Sequence, residues 1–170
     1  MSEILQKANY ETERRFLIKI PEAAYLENAS LSRIVQTYLL NEQGATERVR
    51  SRSTGGKSVY THTLKRRISA ITRLEDEREI DLQEYEALLK RADPARRSIE
   101  KRRYCLEYGA HVLEIDVFPF WEDRAILEIE LSSEAEEFSL PDFISVYREI
   151  STDKRYTNAA LALSVPMERL

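Results

Sequence analysis

Charged residues repeat at every second position in one stretch of this chain after another, and that period constrains the fold more than any other feature. Residues i and i+2 of a β-strand project to the same side, about 6.5 to 7 Å apart, so each such set shares one face. Glu11, Glu13 and Arg15 open the series. Arg48, Arg50 and Arg52 follow, then Thr63 with Lys65, Glu77 with Glu79, Lys101 with Arg103, Glu114 with Asp116, and Glu128 with Glu130. Around the last two pairs the alternate positions are Leu113, Ile115, Val117 and Leu127, Ile129, Leu131, an apolar face opposite a charged one. The alternation predicts strands near 10–18, 32–40, 46–52, 58–66, 73–82, 98–107, 111–118, 124–131 and 145–151. Thr54-Gly55-Gly56-Lys57 and Tyr108-Gly109-Ala110 read as hairpin turns, which makes the strands they join antiparallel. The expected fold class is mainly β (α+β): an antiparallel sheet of about eight strands, curled or closed. Helical periodicity is confined to 22–28, 82–92, 133–138 and 153–163, the last with Asp153 as a cap.

No linker, low-complexity segment or repeat interrupts the 170 residues, so one domain over 1–170 is expected. A single Cys excludes a disulfide framework and a cysteine-rich zinc site. Charged residues at 33% beside hydrophobic residues at 42% suit a packed globular chain rather than a disordered one. No apolar run approaches the ~20 residues that span a bilayer. Met1 to Lys7 shows no basic segment followed by an apolar one, and the expected location is the cytoplasm. With 26 basic and 30 acidic residues, the net charge of -4 repels nucleic acid and anionic lipid, so any polyanion site must be local.

The charged positions admit two readings. They are the wet side of a sheet whose other side is the core, or they line an enclosed site. Favouring the second, signs are segregated by strand, although like charges two residues apart repel and a solvated face gains from mixing them. Clustered carboxylates are stabilised by a hard divalent cation, and clustered ammonium and guanidinium groups by phosphate. If the sheet closes, both sets face one lumen, which suits a metal-bound oligophosphate. His62 and His111 each stand alone on their strands, Cys105 shares the parity of Lys101 and Arg103 without a nearby His, and Tyr156 is either core or tunnel closure. All four favour structural roles.

Glu11-Thr12-Glu13-Arg14-Arg15-Phe16 resembles the ExExK signature of the CYTH superfamily, the triphosphate tunnel metalloenzymes, with Arg15 where the family has Lys. Arg48-Val49-Arg50, Leu64-Lys65, Glu77-Arg78-Glu79, Glu100 to Tyr104, Leu113 to Phe118, Leu127 to Glu130 and Asp153 to Asn158 follow in the family's order, covering about 10–163. The compact bacterial branch, which includes inorganic tripolyphosphatases, is the most similar. The resemblance implies a closed eight-stranded antiparallel β-barrel, Mg²⁺ or Mn²⁺, and a linear triphosphate as small-molecule substrate. It further implies that Glu11, Glu13, Glu128 and Glu130 hold the metal and orient water, with Arg15 in the same catalytic group. Glu77, Glu79, Glu114 and Asp116 are implied for a second ion or its surroundings. Arg15, Arg48, Arg50, Lys65, Lys101, Arg103 and Lys154 are implied to bind phosphoryl oxygens. Class IV adenylate cyclases and thiamine triphosphatases share the family, so a cyclase or an organic triphosphatase stays open, as does a polyphosphate-binding module without catalysis. No nucleic-acid or membrane partner is expected, and a homodimer is compatible with the sequence.

Overall fold

A computed structural model describes residues 9–42 and 44–170. Eight antiparallel strands close on themselves. They are β1 (Asn9–Lys19), β2 (Ser30–Tyr38), β3 (Thr46–Thr54), β4 (Lys57–Arg67), β5 (Thr72–Ile80), β6 (Ile99–Tyr108), β7 (His111–Val117) and β8 (Arg124–Leu131). Around the barrel the order is β5-β4-β3-β2-β6-β7-β8-β1, with β1 pairing β5 to complete the ring. A short β9 (Val146–Glu149) lies beside β1 outside that ring. The two edges of β1 are used differently. One edge pairs β8 from Thr12↔Leu131 to Lys19↔Arg124. The other pairs β5 from Asn9↔Glu75 to Thr12↔Thr72, then β9 from Phe16↔Glu149 onward, with a register shift between Leu17 and Ile18.

The expected hairpins are present. Gly55 and Gly56 both take positive φ, 56° and 80°, between β3 and β4, as a turn matched to the strand twist requires. The expected strand 32–40 is observed as 30–38, and the expected 73–82 as 72–80, the latter ending at Ile80 because Asp81 begins a helix by accepting a hydrogen bond from the Glu84 amide at 2.7 Å. That helix, α1 (Leu82–Leu89), places Tyr85, Leu88 and Leu89 over Leu39, Val49, Tyr60 and Ile80 on the barrel exterior. The other expected helices are cut down. The stretch 22–28 holds only a 3-10 turn, Ala23–Leu26. The stretch 133–138 is not helical, and Glu136 there accepts from the Ser132 amide and hydroxyl and faces His111. The stretch 153–163 is broken at Thr157, whose extended backbone (ψ 146°) ends the 3-10 turn Lys154–Tyr156. The Thr157 side chain then caps α2 (Asn158–Leu161).

Strand parity sorts the core. Phe16, Ile18, Leu113, Ile115, Leu127 and Ile129 face outward from β1, β7 and β8 and are covered by Leu26, Phe138, Phe143 and Ile144. The inward positions are charged at one end of the lumen and apolar at the other. Leu17, Tyr38, Ile99 and Ile126 continue the inward faces of β1, β2, β6 and β8, and with Phe118, Trp121, Tyr156 and Leu161 they plug that end. Each buried aliphatic side chain in this plug contributes about 1.5–3 kcal/mol relative to exposure. The plug leaves the charged part of the lumen as a cavity with a rigid floor, and Tyr156, wholly buried within it, is both core and closure of that end.

Candidate active site

The charged part of the lumen is a cavity of about 740 Å³. Into its wall β1 sends Glu11 and Glu13, β3 Arg48 and Arg50, β4 Lys65, and β5 Glu77 and Glu79. From the other half of the barrel come Lys101 and Arg103 on β6, Glu114 on β7, and Glu128 and Glu130 on β8. Arg15 lines an adjoining smaller cavity of about 170 Å³. Two residues implied for the site stand apart. Lys154 is exposed in its 3-10 turn and lines neither cavity. Asp116 is wholly buried behind the wall and lines neither. Its carboxylate is occupied by Lys101 Nζ at 2.5 Å and by Arg103 Nε and Nη2 at 2.7 and 2.8 Å.

Several wall residues carried no expectation. Glu75 continues the period-two series of Glu77, so its parity could have found it, and Arg52 stands on the charged face with Arg48 and Arg50 but is given no role by the resemblance. Gln36, Thr61 and Asn158 are uncharged, so the alternation of charge gave no signal for them, whereas Arg67 lies two residues past Lys65 and Arg73 two before Glu75, so their parity could have found them.

Register explains which charges meet. Glu128 lies opposite Arg15 on β1 and opposite Glu114 on β7. It accepts from Arg15 Nε at 3.1 Å and Arg103 Nη2 at 2.8 Å, and Arg15 Nη2 is anchored to the Tyr156 carbonyl at 2.7 Å. Burial alone would raise the pKa of Glu128, but the charges of Arg103, Lys101 and Arg15 outweigh it and hold this carboxylate well below the usual range. Glu13 and Glu130 face each other directly across β1 and β8. Burial, then Glu128, push Glu13 up, and burial, then Glu11, push Glu130 up. The cations nearest Glu13 are Arg73 at 3.4 Å and Arg15 at 3.9 Å. Glu77 meets Arg50 at 3.6 Å and accepts from the Thr63 hydroxyl at 2.9 Å.

Glu11 and Glu75 meet beside Lys65. Lys65 donates to Glu11 at 2.7 Å and lies 3.5 Å from Glu75. Burial, the hydrogen bond to Glu11 and the charge of Glu11 lift Glu75 to about 8. Against its own burial, the hydrogen bond from Glu75 and the charge of Lys65 bring Glu11 to about 2. A group whose folded pKa lies above its unfolded value stabilises the fold below the unfolded pKa and loses that contribution as pH rises through the folded one. Glu75→Gln keeps the hydrogen bond to Glu11 without the ionisation. Relative to wild type, its melting temperature is expected to gain progressively between about pH 4.5 and pH 8, read by circular dichroism. A difference that stays flat over that window would rule out the raised pKa of Glu75.

Five polar side-chain atoms of the larger cavity's wall are buried without a protein partner: Gln36 Nε2, Arg48 Nε, Arg50 Nε, Thr61 Oγ1 and Asn158 Oδ1. Three of them are N–H donors, and buried unmade hydrogen bonds cost about 1–3 kcal/mol each. Among the described residues, no three His, Cys, Asp or Glu side chains are gathered closely enough to hold a metal ion in the arrangement they have here. The two histidines lie away from this wall, His62 against Glu47 and His111 against Glu136, each at 2.8 Å. Cys105 sits on the inward face, 3.6 Å from Arg52 Nη2.

A closed antiparallel barrel that turns its charges inward and its aliphatic face outward defines a charge-lined β-tunnel. No family model matches the chain. It is 33% identical over 160 residues to the inorganic triphosphatase of Nitrosomonas europaea, an alignment covering 92% of this chain and 99% of that protein. A crystal structure of an inorganic triphosphatase, 31% identical, matches with a TM-score of 0.56 over 92% of this chain and 96% of the other. A Pyrococcus horikoshii protein shares the fold at 19% identity, with a TM-score of 0.58 over 74% of this chain and 80% of its own. The chain belongs to the CYTH superfamily of triphosphate tunnel proteins.

Proposed function

We propose that this chain hydrolyses a linear triphosphate inside the lumen, with inorganic tripolyphosphate, cleaved to pyrophosphate and orthophosphate, as its substrate. The observation that carries this reading is the set of buried donors without acceptors, Arg48 Nε, Arg50 Nε and Gln36 Nε2, in a cavity walled by further cations. Phosphoryl oxygens are the acceptors that such donors suit. The named activity of the Nitrosomonas relative supports it.

In this reading Arg48, Arg50, Lys65 and Arg103 grip the phosphate chain, while Glu13 and Glu128 orient the attacking water near the terminal phosphorus. Lys101 acts at one remove, holding Asp116 and through it the pose of Arg103. Arg15 fixes Glu128 from the opposite side. The acids fit a hard divalent cation such as Mg²⁺ or Mn²⁺, because their donors are all oxygen and because Glu13 and Glu130 are like charges placed face to face. Glu11, Glu13, Glu128 and Glu130 would hold it, Glu77, Glu79 and Glu114 would lie around it, and it would neutralise charge developing on the phosphoryl oxygens. Lys154 and Asp116 have no part in direct contact.

Orthophosphate release is the test, with tripolyphosphate, ATP, thiamine triphosphate and pyrophosphate each offered with and without Mg²⁺ or Mn²⁺. Tripolyphosphate turnover that requires the metal is expected. Metal-dependent formation of cyclic AMP from ATP without orthophosphate would assign the cyclase chemistry instead, and binding without turnover of any of the four would leave a polyphosphate-binding module.

A further inference from the structure

The two cavities of the lumen differ in the sign of their charge. Over the described residues, eight carboxylates and six cations line the larger, whereas two carboxylates and five cations line the smaller. A polyanion in the larger cavity calls for an added cation, while the smaller attracts an anion unaided. They are successive parts of one passage, since Glu13, Arg48, Lys65, Glu128 and Asn158 belong to both walls. Beyond that shared wall the smaller cavity adds Arg15, Arg67 and Arg73.

Arg15 is committed to Glu128 and to the Tyr156 carbonyl, and Arg73 leans on Glu13 at 3.4 Å. Arg67 stands directly opposite Arg73 across β4 and β5 and has no carboxylate partner among the described residues. Like charges directly opposite on neighbouring strands destabilise a sheet unless something of the other sign lies between them. Arg67 is exposed, so the cavity reaches solvent there. Its volume of about 170 Å³, against about 740 Å³ for the larger cavity, suits one tetrahedral oxyanion rather than a longer phosphate chain.

We propose that the smaller cavity is an orthophosphate site that needs no metal, and that it is the exit through which the released phosphate leaves past Arg67. The proposal rests on the hydrolase reading for the origin of that phosphate, though not for the site itself. The water oxygen bonds to the terminal phosphorus as the bridging P–O bond breaks, and its electron pair stays on the bridging oxygen of pyrophosphate. One proton of the water remains on orthophosphate and the other passes to pyrophosphate. The terminal phosphoryl group therefore points toward the cationic cavity, and the shared wall of Glu13 and Glu128 marks where the bond breaks.

The test is titration of the full chain with inorganic phosphate in the presence of a chelator, followed by calorimetry. Wild type is expected to bind. Arg67→Gln should weaken binding roughly tenfold by removing one charged donor. Arg52→Gln should leave it unchanged, since Arg52 lies four residues, about 13 Å, along β3 from Arg48 of the shared wall. Absence of metal-free binding, or equal affinity in wild type and Arg67→Gln, would overturn the proposal. So would a loss confined to Arg52→Gln, which would put the anion in the larger cavity. If the chain hydrolyses no triphosphate but binds phosphate in an Arg67-dependent manner, the site stands and the hydrolase reading falls.

Discussion

Glu128→Gln is expected to lower tripolyphosphate turnover by a hundredfold or more, about 2.7 kcal/mol of transition-state stabilisation. The carboxylate is positioned from both sides, by Arg15 Nε at 3.1 Å and by Arg103 Nη2 at 2.8 Å, and its ionised form is strongly favoured there. An amide keeps the shape and loses the charge. Either action expected of Glu128, holding a cation or orienting water, depends on that charge, and the loss should appear in kcat together with a higher metal requirement. Glu100→Gln, at an exposed position on the outer face of β6 where it pairs with Arg33, is the control and should change kcat less than about threefold. Orthophosphate release measured across a metal titration separates the outcomes. A Glu128→Gln enzyme with wild-type kcat and metal response would reduce Glu128 to a counter-ion for Arg103.

The largest loss of stability is expected at a residue that touches no substrate. Asp116 has no exposure and is held by both Lys101 and Arg103. Removing one partner of such a network typically costs about 3–5 kcal/mol, because the remaining charges stay buried without compensation. For a chain of this size that corresponds to a fall in melting temperature of roughly 6–20 °C for Asp116→Asn. Lys101 is already under stress: burial, then Arg103, push it down to about 8 in spite of Asp116. Adding Lys101→Met to the Asp116→Asn chain should therefore recover part of the loss, and calorimetric melting of the two variants reads the coupling directly. Additive losses would show that Lys101 and Asp116 do not act as a unit.

The strands and the inward placement of Glu11, Glu13, Arg48, Arg50, Lys65, Arg103, Glu128 and Glu130 were legible in the sequence because parity along a strand is a local property. What parity cannot convey is depth. Glu114, Asp116 and Phe118 share one side of the chain around β7, yet the first lines the cavity, the second is sealed beneath it and the third belongs to the apolar plug. Depth depends on how strands from distant parts of the chain are staggered. The same holds for Arg15, whose motif places it beside the acids while register hands it to Glu128 and Tyr156. The position of Lys154 was hidden for another reason: the stretch 153–163 breaks at Thr157 into a separate 3-10 turn, and that turn leaves Lys154 exposed. Periodicity alone gives no weight to a side chain that caps the next helix.

The division of β1 between β5 and β9 on one edge, with β8 on the other, bears on the kinetics of folding. Its partners lie about 60 residues downstream for β5 and well over 100 for β8 and β9. The hairpins β2 to β5 and β6 to β8 can form from neighbours in sequence, but β1 has no local partner and must wait for both. Closure of the ring is then a late step with a high contact order, and until it happens the edges of β5 and β8 stay open to other chains. Glu11, Glu13, Arg14 and Arg15 make the waiting strand a poor template for aggregation, so the charges that face the lumen in the finished barrel also protect the chain on the way to it.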